Sequence, residues 1–191
     1  GHEGTVDTSR IGDEVAHLRG LGAELIVLLV HWGYEYEYYP DPHFLVLGRQ
    51  LVSEGADLVV GTGPHVAQPA EVCAVDTPGA QPGLGRCVVR TAENRARTAA
   101  ILYSLGNASS NMKSSWPTLA GLLATVSLDP DRGVTGLGWQ PLITLDSDHT
   151  EPPYDLIVPL EDPGTDDPDL LEALEAESRR LDAHLGDHWR L

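Results

Sequence analysis

Positive charge is what this sequence has least of. Lys113 is the only lysine, and 12 Lys and Arg stand against 29 Asp and Glu, a formal net charge of −17. That balance argues against nucleic acid and against an anionic membrane surface as partners, because both are bound by neutralising phosphates. A polyanionic polymer would be repelled as well unless a metal or a local basic patch intervened. Between Gln140 and Ser178 there is no Lys or Arg at all. Long apolar runs are also missing, so nothing reads as a membrane span. Gly1 to Arg10 carry no apolar segment and do not read as a signal peptide. No P-loop, dinucleotide fingerprint or G-x-S-x-G elbow occurs, which leaves nucleotide cradling and serine-hydrolase chemistry without support. Internal repeats and low-complexity tracts are absent. Cysteine is scarce: Cys73 and Cys87 bracket a Gly/Pro-rich segment and nothing else carries a thiol.

The 191 residues are enough for one domain with a proper core. The organising stretch is Glu24 to Glu35, ELIVLLVHWGYE. Its apolar run ends abruptly at His31-Trp32-Gly33. Such a run predicts a strand buried on both faces, in the middle of an α/β sheet. Ligands in open α/β sheets bind just past the carboxyl ends of the strands, where His31 stands. A second short buried strand, Leu58 to Val60, ends in Gly61 and leads to a loop carrying His65. Two strands thus bring one histidine each to the same sheet edge, which favours a site over two histidines that merely cap strands.

The rest of the pattern alternates helix and strand, then turns to strands. Ser9 can cap a helix from Arg10 to about Leu21, with Ile11, Val15, Leu18 and Leu21 on one face. Asp41-Pro42 opens a second helix that Gly55 ends. Val72 to Ala74 and Val88 to Val89 predict a hairpin with a long loop, and a disulfide across its base or two buried thiols both fit. Strands follow at Thr98 to Ser104, Ala120 to Leu128, Val134 to Trp139 and Leu142 to Leu145, an antiparallel region. Residues 146–165 read as an acidic, Pro-rich linker, and 166–191 hold a last helix with a stripe of Leu171, Leu174, Leu181 and Leu185.

Several of these segments together resemble the CapA-type poly-γ-glutamate capsule synthesis proteins, which have the metallo-dependent phosphatase fold. The residues are His31-Trp32-Gly33-Tyr34-Glu35-Tyr36, Gly55-Ala56-Asp57-Leu58-Val59-Val60-Gly61, Pro64-His65-Val66, Gln68-Pro69-Ala70-Glu71 and Tyr103-Ser104-Leu105-Gly106-Asn107. The resemblance runs in register over roughly residues 9 to 145. It implies an α/β, metallophosphatase-like fold, part of a layered sandwich with an antiparallel β region after the HWG and PHV motifs. Residues 1–145 would be the C-terminal half of that domain.

For the site, the resemblance implies His31 and His65 as ligands of a divalent metal such as Mn, Fe or Zn. Glu35 and His65 become candidates for catalysis, and Glu71, Asn107 and Tyr36 for substrate contacts. The Cys73–Cys87 disulfide gains weight, because the family works at the cell surface. The implied role is making, exporting or anchoring poly-γ-glutamate or a related polymer. The implied partners are the polymer, other capsule-synthesis proteins and the N-terminal half of the same domain. Whether the chain is an enzyme stays open. A metal-dependent phosphoesterase whose other ligands lie in that N-terminal half, and a metal-free binding module on the same fold, are the alternatives. Three departures from the family pattern stand out. The early Asp and Asn-His motifs are missing, Gly63 replaces the first histidine of the usual H-P-H, and Phe44 and Ala108 replace Gln and Phe.

Overall fold

The computed structural model describes residues 8–108, 115–145 and 156–185. Helix α1 (Thr8–Gly20) leads into strand β1 (Val27–His31), and helix α2 (Pro42–Ser53) into β2 (Leu58–Thr62). Then come β3 (Ala67–Val75), β4 (Arg86–Val89) and β5 (Arg97–Leu105). A one-turn helix, α3 (Trp116–Leu119), precedes β6 (Ala120–Asp129), β7 (Gly133–Leu145), β8 (Leu156–Pro159) and α4 (Pro168–Leu185). The chain is mixed α/β, as the sequence predicts. α2 starts where expected: the Asp41 carboxylate accepts from the His43 N–H at 2.8 Å, and Pro42 occupies the first turn.

The main sheet has the order β1-β2-β5-β3-β4. β1, β2 and β5 are parallel neighbours, and β3 runs antiparallel to β5. Period-two alternation along β5 sorts its side chains between two cores. Ala99, Ile101 and Tyr103 face α2 and pack with Leu51, Val52 and Val59. Ala100 and Leu102 face the other way and pack with Ile143, Leu145 and the α4 residues Leu170, Leu174 and Leu181. The antiparallel region is present: β6 pairs with β7, and β7 with β8. The segment read as a linker therefore contains a strand, β8, while residues 146–155 lie outside the described residues. Of the α4 leucine stripe, Leu174 and Leu181 are buried and Leu171 is exposed, with Leu170 buried in its stead. The side chain of Leu185 lies outside the described residues.

Two expectations need correction. β1 is not a central strand. It ends the sheet, with β2 on one side only among the described residues. Leu28 and Val30 pack toward α2, but Val27 is 46% exposed and Leu29 81% exposed on the opposite face. An apolar run fixes what a strand wants to bury; it does not say which segment does the burying. The second correction concerns β3 and β4, which pair in parallel and not as a hairpin. The Gly/Pro-rich loop carries the chain back beside Val72, whose N–H donates to Gly85, before pairing starts. That pairing sets Cys73 opposite Cys87, and the two form the disulfide.

The amino ends of the parallel strands meet at one carboxylate. Asp57 is fully buried just before β2 and accepts the Ile26 N–H at 2.8 Å, Arg19 Nη2 at 2.7 Å and Arg97 Nε at 2.8 Å. Arg97 is the first residue of β5, and its side chain is fully buried. Removing the carboxylate would leave that guanidinium buried with only the partly exposed Glu93 carboxylate, 3.9 Å away, to offset its charge. Asp57→Ala should therefore lower stability by about 3–5 kcal/mol. Urea unfolding followed by circular dichroism measures this, and a loss below about 1 kcal/mol would show that water can replace the carboxylate.

Candidate functional site

Three motifs finish at one sheet edge because three parallel strands do. His31 closes β1, His65 lies three residues beyond β2, and Asn107 lies two beyond β5. The loops there are stitched by backbone bonds. The Trp32 N–H donates to the Thr62 carbonyl and the Tyr36 N–H to the Pro64 carbonyl, each at 2.8 Å. Trp32 itself is buried. Its indole N–H donates to the Tyr103 carbonyl at 2.9 Å, and its ring stacks on the Tyr103 ring with centroids 5.7 Å apart. Gly61 makes this possible, since a Cβ there would collide with the indole nitrogen and the Tyr103 carbonyl.

His65 and Asn107 are in direct contact. His65 Nδ1 lies 2.9 Å from Asn107 Oδ1, and the Asn107 amide nitrogen donates to the Thr118 carbonyl at 2.8 Å. The second bond fixes which way the amide faces. Oδ1 can only accept, so His65 carries its proton on Nδ1. The neutral ring then presents a lone pair at Nε2, the form that a metal ion or an acidic proton requires. His65 itself adopts a left-handed φ of 62°. Asn107 is thus a positioning residue for His65. His31 is exposed one strand over, and Glu35 and Tyr36 are exposed on the loop that follows it. Among the described residues no three His, Cys, Asp or Glu side chains gather around one point.

Glu71 is placed differently from the expected cleft edge. It is buried beneath α2, where Arg49 Nε donates to it at 3.0 Å and the Tyr103 hydroxyl at 2.9 Å. Burial, and then the Glu71 carboxylate, push the Tyr103 hydroxyl well above its ordinary range. The hydrogen bond to Glu71 likewise raises Arg49. This is an internal clamp between α2, β3 and β5. Gly63 has a structural part too. Its φ is 129°, and a Cβ would collide with the Trp32 carbonyl oxygen. The histidine usual at this position in the resembling family therefore does not fit this backbone. Trp32, Arg49 and Tyr103 were missed as site supports; the signal for Trp32 was the glycine at the end of β2.

The profile of the bacterial capsule synthesis protein family (PGA_cap) matches residues 2–112. The capsule biosynthesis protein CapA of Bacillus anthracis is 44% identical over 50 residues, which is 26% of this chain and 12% of that protein. The PGA biosynthesis protein CapA of Bacillus subtilis (strain 168) is 42% identical over 50 residues, 26% of this chain and 13% of its own length. The matched stretch is thus a small part of either relative.

Asn107→Ala should release the His65 ring. With no acceptor at Nδ1, the neutral ring should shift toward the Nε2–H tautomer that free imidazole prefers. Long-range ¹H–¹⁵N NMR on the imidazole nitrogens reads this directly, and an unchanged Nδ1–H signal would show that something other than Asn107 sets the tautomer.

Proposed function

This chain belongs to the bacterial capsule synthesis protein family, and on that premise we propose that it serves the making, export or anchoring of poly-γ-glutamate or a related capsule polymer at the cell surface. The observation that carries the reading is the convergence of His31, His65 and Asn107 at the carboxyl edge of three adjacent parallel strands. The Cys73–Cys87 disulfide supports an oxidising, extracytoplasmic setting. Partners on this reading are the polymer or other capsule-synthesis proteins. In the bacterium that makes it, replacing the gene by its His65→Ala form should reduce surface polymer as much as deleting the gene. Polymer at the level of the parent strain would overturn the reading.

A divalent metal (Mn, Fe or Zn) belongs to the same proposal. His65 suits a ligand, with Nε2 freed by the bond at Nδ1, and His31 stands at the same edge. The donor set as a whole falls short: zinc-like ions take three or four protein ligands, and the described residues offer no such cluster. No catalytic step follows from these residues alone. The metallophosphatase-like fold completed by an N-terminal half of the same domain would supply the rest, and the open edge of β1 supports that partner. The edge bears Val27 and Leu29 without Lys or Pro, the usual protection of an unpaired strand. The phosphoesterase alternative needs the same completion.

Calorimetric titration of this chain with Mn²⁺ and Zn²⁺ should therefore give weak binding, and the longer protein tight binding. The β1 amides should exchange quickly in this chain and slowly in the longer protein. Tight binding of two ions by this chain alone, or equal exchange in both proteins, would overturn the completion proposal.

A further inference from the structure

Aspartate precedes proline at four places: Asp41-Pro42, Asp129-Pro130, Asp162-Pro163 and Asp167-Pro168. Such a bond carries its own nucleophile. The aspartate carboxyl can close a five-membered ring on its own main-chain carbonyl, and a proline nitrogen leaves as a basic secondary amine. Nucleophile and carbonyl on one residue need no encounter, which amounts to a large effective concentration.

The fold treats the four bonds unequally. The Asp41 carboxylate accepts the His43 N–H at 2.8 Å. Asp129 Oδ1 accepts the N–H groups of Asp131 and Arg132, each at 2.9 Å. Asp167 Oδ1 accepts those of Asp169 at 3.0 Å and Leu170 at 3.3 Å. These bonds turn each carboxylate toward the residues that follow, so attack on its own carbonyl must first break them. Asp162 differs. It is exposed, and among the described residues its carboxylate makes no hydrogen bond or ion pair. Its backbone is nonetheless held, because the Asp162 N–H donates to the Pro159 carbonyl at 3.3 Å.

This bond lies between β8 and α4. Helix α4 packs Leu170, Leu174 and Leu181 into one core, and its Arg180 guanidinium lies 4.8 Å over the ring of Tyr38, on the loop after β1. The disulfide joins Cys73 to Cys87, so it does not tether α4 once the 162–163 bond is cut.

We propose that Asp162-Pro163 is an acid-operated self-cleavage site that frees α4. In mild acid a carboxyl oxygen of Asp162 bonds to the Asp162 carbonyl carbon, and a proton passes to the Pro163 nitrogen. The carbon–nitrogen bond breaks with its electron pair on nitrogen, and Pro163 leaves as the amine. The cyclic anhydride left on Asp162 takes up one water and opens to two carboxyl groups. Nothing is oxidised or reduced, and water is the only co-reactant. After the cut, packing alone holds α4, and the high effective concentration of a tethered helix is lost. The inference stands apart from the capsule and metal proposals, because it uses none of the histidines.

The test is incubation of the complete chain at about pH 4, where aspartates in general are partly protonated, with mass spectrometry of the products. Pieces 1–162 and 163–191 should form about tenfold faster than pieces cut at the other three bonds, since each of those must first give up a hydrogen bond to a charged group. In urea, which releases all four carboxylates, the four rates should converge. Asp162→Asn should abolish the 163–191 piece. After return to neutral pH, gel filtration at micromolar concentration should separate the two pieces. Equal cutting at all four bonds without urea, no cut after Asp162, or a cut that persists in Asp162→Asn would overturn the proposal. Co-elution of the two pieces would overturn the release of α4. Should the asparagine variant fail to fold, the ratio of the four cuts in the unaltered chain decides.

Discussion

The Asp57 carboxylate sets the level of the sheet. It takes one bond from the backbone before β1, one from the arginine that opens β5 and one from an arginine of α1, and it directly precedes β2. Its backbone joins the same junction: the Asp57 N–H donates to the Ile26 carbonyl and the Ala100 N–H to the Asp57 carbonyl. A buried charge network of this kind adds little net stability over an apolar core. What it does is penalise every alternative register, because a slipped strand would strand a charge out of water. With the amino ends of β1, β2 and β5 fixed together, their carboxyl ends also fall level. That is why three motifs far apart in the chain deliver His31, His65 and Asn107 to one edge.

The carboxyl edge has its own brace. Trp32 spans from the end of β1 across Gly61 to the Tyr103 carbonyl of β5. Tyr103 continues the link through its hydroxyl to Glu71, and Glu71 to Arg49 on α2. The hydroxyl is held protonated by burial and by the neighbouring carboxylate, so it stays a donor at any physiological pH. The two braces lie at opposite ends of the same strands. Between them the site loops have little freedom, which suits an imidazole whose tautomer is set by one neighbouring amide.

Much of this was legible in the residues. The runs ending in Gly33 and Gly61 marked β1 and β2, Asp41-Pro42 marked the start of α2, and the two strand-end histidines marked the edge. The errors share one cause. The position of β1 at the rim, the parallel pairing of β4 with β3 and the burial of Glu71 all depend on which segment lies alongside, and a local pattern carries no such information. Glu71 illustrates this best. As a carboxylate within a motif it read as a substrate contact, but its strand neighbour Ile101 faces α2, and so must Glu71. The disulfide was legible for a reason that turned out different: a hairpin and a parallel pair both set Cys73 and Cys87 opposite each other.

The placement of charge bears on how such a chain could meet an acidic polymer. Arg95, Arg97 and Arg132 gather around the amino end of β5, where Arg95 bonds the Pro130 carbonyl and the Arg132 carbonyl accepts from Thr98. Arg19 and Arg97 are consumed by Asp57, Arg49 by Glu71, and Arg180 by Glu177. The opposite edge, with His31 and His65, is flanked by Glu35 and Glu37. A polyglutamate strand approaching that edge meets carboxylates first, and over a Debye length of about 8 Å the distant arginines are screened. On the capsule-polymer proposal, attraction at this edge would have to come from a bound cation or a partner protein, because the carboxylates there repel a polyanion.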